Sequence, residues 1–563
     1  MTISRRANEI IGAAWLCAAT WGAASCGDES CARGRCSGAD GGVSIGSTLG
    51  ATGNGPSGAD ASASQGGSVG SDGSGGDDDD VRFDIGGVPS NDAGGPAPPI
   101  IPATCAEAQA GVSTVGCLFY AVDMDSHDGV EGSQFAVAVG NVQLDAPATV
   151  SIELRQNGAW TTVAGPEVVP ALGLHTFPLP DRHADDTQLF ASGSYRVVSD
   201  TPIIAYQFNP VDGSVSYISD ASMLFPVPSL DTLNQVTAWT SMVDNSGGFQ
   251  HSYATIIATG DGTTVTVTPS VATAAGGSVP AGAPGAPFMV AMQDGDVLNV
   301  AVASLGTSMT GTRIQSNDDH PVAVFAGQEC ALIPASVCCC DHLEEQLAGL
   351  RQWGTEFVAS RMPVRNAAAP EATLWQIYAS EAGTTVQIEA SPALTGIPAA
   401  SFVINAGEVR EFYVSGPPGD EGDFHVTADK PINVLGYMIG SENLPPPYSA
   451  TGDPAAVQLS PVQQFLPRYV VLVPGTWIND IAVITRAAGA TLDIDGVPVA
   501  DSAFAPIGTS GYEVGRIPIA DGVHVLDGHD TPFGVIIVGY DDWDSYAYLG
   551  GTGTGKINPN PAG

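Results

Sequence analysis

Basic side chains are scarce: 18 Lys and Arg stand against 60 Asp and Glu, a formal net charge of -42. A chain this acidic repels nucleic-acid phosphates and anionic lipid head groups, which excludes nucleic-acid binding. A lasting membrane helix is also missing near the N-terminus. The uncharged run from Ile10 to Ala24 has only 15 residues, against the roughly 20 that a bilayer span requires. Charged residues make up only 14% of the chain, while glycine and proline number 70 and 41. That balance favours strands and turns over long helices. The expected fold class is all-β.

Arg5-Arg6 followed by the apolar run reads as an export signal over residues 1–26. Ala23-Ala24-Ser25-Cys26 resembles a bacterial lipobox with alanine in the usual leucine position. Cys26 is then either a lipidation site or, after ordinary cleavage near Ala24, a disulfide partner. The predicted location is exported: an outer-membrane lipoprotein, or the cell surface or extracellular space, with membrane attachment only through the lipid anchor. Residues 27–102 are dominated by Gly, Ser and Asp and carry the run Asp77-Asp78-Asp79-Asp80. Such a segment has too little apolar surface to offset its ordering entropy and is expected to be a disordered tether.

Beyond residue 102 short Val, Ile, Thr and Tyr runs alternate with Gly, Asp and Pro, the pattern of many short strands. They repeat. One element is a strand, a Gly/Thr turn and a second strand, as in Tyr253–Ala258 with Gly262–Val267 and Trp375–Ala379 with Gly383–Ile388, and these pairs read as hairpins. Another is a strand, a turn with proline and a strongly apolar strand, as in Tyr195–Val198 with Thr201–Tyr206 and Phe424–Thr427 with Lys430–Leu435. The apolar strands are expected to be buried. A third element opens at Asp220, Asp341 and Asp453. Together they predict four tandem β-sandwich-like repeats of about 100 to 120 residues at 103–219, 220–340, 341–452 and 453–550, with a flexible tail at 551–563. A closed propeller-like β ring is the alternative.

The cysteines group locally: Cys31 with Cys36, Cys105 with Cys117, and Cys330, Cys338, Cys339 and Cys340 together. In an exported chain these eight are disulfide candidates. The competing reading, a metal site formed by the cluster with His342, suffers because three consecutive cysteines do not readily face one ion. His342-Leu343-Glu344-Glu345 is not a His-Glu-x-x-His motif. Its expected form is a short helical turn docked by Leu343 and Leu347, with Glu344 and Glu345 facing water. Asp123, Asp125, Asp128 and Glu131 are calcium candidates whose spacing departs from the Asp-x-Asp-x-Asp-Gly loop, so a solvated turn competes. Asp541, Asp542 and Asp544 beside Trp543 and Tyr546 suit a sugar- or peptide-binding loop, unless Trp543 caps the last sheet. No catalytic residue, cofactor or firm metal site emerges, and the chain is read as a non-enzyme.

Cys-Asp-His-Leu-Glu-Glu-Gln-Leu at 340–347, which contains Asp341, His342, Leu343, Glu344, Glu345, Gln346 and Leu347, is the most distinctive block. With Trp353-Gly354, Ser380–Val386 and Asp429–Val434 it resembles the N-terminal domain of IgGFc-binding proteins, over about residues 200–550. That module also occurs in bacterial surface proteins, including myxobacterial ones. For animal members the resemblance implies a secreted, mucus-associated protein with affinity for the Fc part of IgG. The von Willebrand type D repeats of those proteins are absent here, and no residue of this sequence is assigned to Fc binding. The resulting expectation is an exported adhesion or binding protein whose β repeats meet an extracellular protein or glycan. The alternatives are a self-associating matrix component and a secreted hydrolase.

Overall fold

A computed structural model describes residues 101–213, 216–335 and 337–561. The proposed signal, Cys26, Cys31, Cys36 and nearly all of the tether lie outside the described residues. Strands dominate, and the one α-helix among the described residues, Cys105–Ala110, has a Thr104 N-cap and a reciprocal Glu107 bond to the Thr104 backbone.

The same seven-strand scheme occurs four times. In the first repeat the strands are Gly116–Ala121, Ala136–Asn141, Ala148–Gln156, Ala159–Val169, Leu174–Pro178, Tyr195–Asn209 and Asp220–Met223. The sixth is long and belongs to two layers. Its first half pairs with strands one and three, and its second half with strands two and seven. Strand four extends the first layer and strand five the second. The third repeat reproduces this around Phe424–Tyr437. In repeats two and four the long strand is broken, into Arg313–Ser316 with Val322–Ala331 and into Gly522–Asp527 with Phe533–Asp541, but the partners are equivalent. Two-layered antiparallel units therefore repeat in tandem, and neither a closed barrel nor a propeller forms among the described residues.

Proline marks the change of layer. Pro202 lies between Ser199, paired with Val150 in one layer, and Ile203, paired with Asn141 in the other. Pro431 lies similarly between Ala428 and Ile432. A residue at such a corner needs no ladder N–H, so proline is tolerated there. In repeats one and three the expected turn is thus a bend within one strand.

The expected hairpins are corrected by the pairing. Ser252–Ala258 and Thr263–Thr268 do not pair with each other; the Gly/Thr turn carries the chain from one layer to the other. Burial gives the reason. Ser252–Ala258 is buried at every position, whereas Thr263–Thr268 is buried at alternate positions. The first suits a sheet covered on both faces and the second a sheet with one wet face, so the two belong to different layers.

The doubly covered layers weld the repeats together. Phe208 of the first repeat packs against Trp477 of the fourth at 5.9 Å between ring centroids, and Tyr206 against Tyr548 at 4.6 Å. The segments at Asp220, Asp341 and Asp453, expected to open new units, instead supply the last strand of the preceding one. The tail is also corrected. Far from fraying, it is held by Thr554 N to Val112 O at 2.8 Å, Gln464 Nε2 to Gly555 O at 2.6 Å and Asn558 N to Arg351 O at 2.9 Å. These bonds fasten the described part of the tail to three separate stretches of the chain, which a free terminus lacks.

Candidate functional site

The distinctive block forms the strand Asp341–Gln346, buried throughout, so the predicted solvated helical turn is corrected. This strand is the last of its repeat and meets the last strands of the other three. Each such strand is hydrogen-bonded on one side and leaves unpaired backbone groups on the other, which must find acceptors when buried. Side chains supply them. Asp220 Oδ2 accepts from Glu344 N at 3.1 Å, Ser222 Oγ from Gln346 N at 2.7 Å, Gln346 Oε1 from Phe225 N at 2.8 Å and Gln458 Oε1 from Ala348 N at 2.9 Å. Asp341 Oδ1 accepts from Ser219 N at 2.5 Å, and Ser545 Oγ from Asp453 N at 2.9 Å.

Dense burial makes these acids poor anions. Burial raises the pKa values of Asp220, Asp341, Glu344, Glu345 and Asp453 well above the carboxylate range, and neighbouring Asp544, Asp453 and Asp220 push Asp341 further. Asp544 is raised to about 7 for the same first reason, while burial lowers His342 to about 4 and leaves it neutral at pH 7. Asp341, Glu344, Glu345 and Asp453 each have one carboxyl oxygen without a hydrogen-bond partner, as a protonated acid in a tight core permits. The block is thus a polar seam between repeats and has no surface to offer a ligand.

Beside it Cys330 is bonded to Cys340, and Cys338 to Cys339. The first bond ties the end of the long strand to the start of the last. A third disulfide, Cys105–Cys117, fastens the helix to the first strand. With all four clustered cysteines in disulfides, the competing site with His342 loses its thiolates.

The family model for IgGFc binding protein matches residues 220–539. The chain belongs to that family. No curated protein matches the chain. The IgGFc-binding match starts at Asp220, the first residue of the last strand of repeat one, and takes in the whole of repeats two and three. It leaves out the first six strands of repeat one, whose loops carry Asp123, Asp125, Asp128, Glu131, Asp181 and His183.

The calcium candidates lie there but do not form one shell. Asp123 is buried and accepts from Arg182 N at 2.8 Å; Asp125 is buried and accepts from Asp186 N at 2.9 Å. Asp128 is exposed, and Glu131 Oε2 lies 3.3 Å from His183 Nε2. The structure regroups them with residues that sequence reasoning did not single out. Asp181 Oδ1 is 2.6 Å from His183 Nδ1, and Glu329 Oε1 is 2.7 Å from His251 Nδ1. Burial works against charge on both imidazoles, but the facing carboxylates outweigh it and raise both pKa values. The separation along the chain, 123 against 181 and 251 against 329, hid these groupings.

The aromatic-acid loop is divided by the fold. Asp544 and Tyr546 are buried, whereas Trp543 is 39% exposed and meets Tyr217, 40% exposed, edge to face at 5.9 Å. Trp543 therefore does not cap the last sheet. Both residues have φ of 53°, a left-handed conformation costly for aromatic side chains. The tip is pinned by Trp543 N to Ala450 O at 2.8 Å and Gly452 N to Asp541 O at 2.7 Å. Two rings are thereby held outward beside Asp541 and Asp542.

Proposed function

We propose that this chain is an exported binding protein, carried on the tether at 27–102 and held at the cell surface through Cys26, whose repeats contact an extracellular protein or glycan. Membership of the IgGFc-binding family and the disulfide-fastened β repeats support an extracellular binding role. The observation that carries the choice of surface is the Tyr217–Trp543 pair, two exposed aromatics in costly backbone conformations on an acidic rim. Aromatic faces beside carboxylates suit a sugar ring or a basic peptide side chain. Self-association is disfavoured by like charge, since two copies each carrying -42 repel.

The test is a binding screen of the folded chain against immobilised glycans, basic peptides and IgG Fc at physiological salt, repeated with Trp543→Ala and Tyr217→Ala. Retention of at least one class by the wild type and its loss of tenfold or more in both variants is expected. Binding only to itself, or binding unchanged in both variants, overturns the assignment of this surface.

A further inference from the structure

We propose that Asp123, Asp181 and His183 form a binding site for a divalent transition cation, with Zn2+ as the best fit, in the part of repeat one that precedes the family match.

One potential ligand atom from each of the three residues lies within 4.8 Å of those of the other two. Ligands about 2.1 Å from a tetrahedral ion stand about 3.4 Å apart, so a small inward rotation of the Asp181 and His183 side chains closes the set. The group is more than a cluster of surface acids. Asp123 is 1% exposed, its Oδ2 is occupied by Arg182 N, and its Oδ1 is buried with no hydrogen-bond partner. A bare carboxylate oxygen in such a place is costly unless a proton or a cation meets it. The intervening Arg182 does not supply that charge, because its guanidinium donates to Ser192 O at 2.7 Å and lies over the Phe190 ring.

The second layer is also in place. His183 touches carboxylates at both ring nitrogens, Asp181 at 2.6 Å and Glu131 at 3.3 Å. If Nδ1 turns to the ion that Asp181 shares, Glu131 receives the Nε2 proton and fixes the ring, the carboxylate–histidine arrangement common around bound metals. Asp181 is 46% exposed at its side chain and gives the ion a route from solvent. One imidazole with two carboxylates favours Zn2+ over Ca2+, which prefers six or more oxygens. The bound ion clamps the loop around Asp123 to the segment at 181–183, about sixty residues further on.

The second grouping, Asp186 with His251 and Glu329, serves as the internal control, because there the buried Glu329 is already satisfied by His251 N and Nδ1. The experiment is calorimetric titration of the metal-stripped folded chain with Zn2+ and, separately, Ca2+, in wild type, Asp123→Asn, His183→Ala and His251→Ala. Circular dichroism confirms that each variant is folded. One equivalent of Zn2+ bound at micromolar or tighter affinity is expected, weakened at least tenfold in Asp123→Asn and His183→Ala and unchanged in His251→Ala. Binding should also raise the thermal midpoint in wild type and in His251→Ala only. No Zn2+ binding by the wild type, a preference for Ca2+, or loss of binding that follows His251 instead of His183 overturns the proposal.

Discussion

Replacing Asp544 by asparagine isolates the electrostatic cost of the polar seam. The carboxyl is 2% exposed, accepts from Ser219 Oγ at 2.5 Å, and is crowded by Gly213, where an added Cβ would stand 2.0 Å from Asp544 Oδ2. Burial, with smaller contributions from Asp541 and Asp212, raises its pKa to about 7, against the bond from Ser219 that lowers it. The folded chain thus holds this proton more tightly than the unfolded chain, whose aspartates titrate near 4. Stability from the protonated acid is fully present below pH about 4 and is lost as pH rises through 7. A shift of about three units corresponds to roughly 4 kcal/mol at alkaline pH, of which roughly 2 to 3 kcal/mol is lost between pH 5 and pH 8. Asparagine keeps an acceptor for Ser219 and cannot ionise. Urea denaturation midpoints at pH 5, 6, 7 and 8 in 0.15 M salt should therefore show Asp544→Asn gaining on wild type from pH 5 to pH 7 and levelling off above it. A difference between the two proteins that stays constant across this range refutes the buried-acid argument. General charge repulsion cannot imitate the expected result, since removing one charge of so many changes it little.

Cys330→Ala with Cys340→Ala opens a loop with a sequence separation of 10 and should cost about 3 kcal/mol of stability, read from the shift in denaturation midpoint with wild type compared in oxidised and reduced form. Truncation after Gly550 removes the bonds from Gly555 and Asn558 to Gln464, Leu350 and Arg351, so protease nicking around residues 350 and 464 should become faster; an unchanged cleavage pattern speaks against a clamping tail. Labelling cells with a lipid precursor should mark the wild type and not Cys26→Ala, and equal labelling of the two rejects the anchor.

Much of the repeat pattern was legible because strand identity is written locally. Thr263–Thr268 announces a half-buried strand by alternation, and Val322–Ala331 a covered one by its apolar content. The pairing was less legible. Adjacent strands joined by a Gly/Thr turn looked like hairpins, but strands of different burial belong to different layers, and only the long sixth strand bridges them. Leu343 and Leu347 suggested a helical face for the block at 341–347; at either residue a helix and a strand leave the same local mark. The proximity of Asp123 to His183 gave no sequence signal, because residues about sixty positions apart become neighbours only after folding.

By itself the sequence determined an acidic, all-β chain of repeating units, the local grouping of its cysteines and its likeness to IgGFc-binding proteins, since composition, periodicity and motif are properties of short stretches. Tertiary structure alone decided that Asp220, Asp341, Asp453 and Asp544 meet in one buried seam and that Glu344 and Glu345 are buried beside them. The physical reason is that a strand edge must satisfy its backbone groups wherever it is buried. Four such edges come together here, so acidic side chains that composition assigns to the surface serve as their acceptors inside.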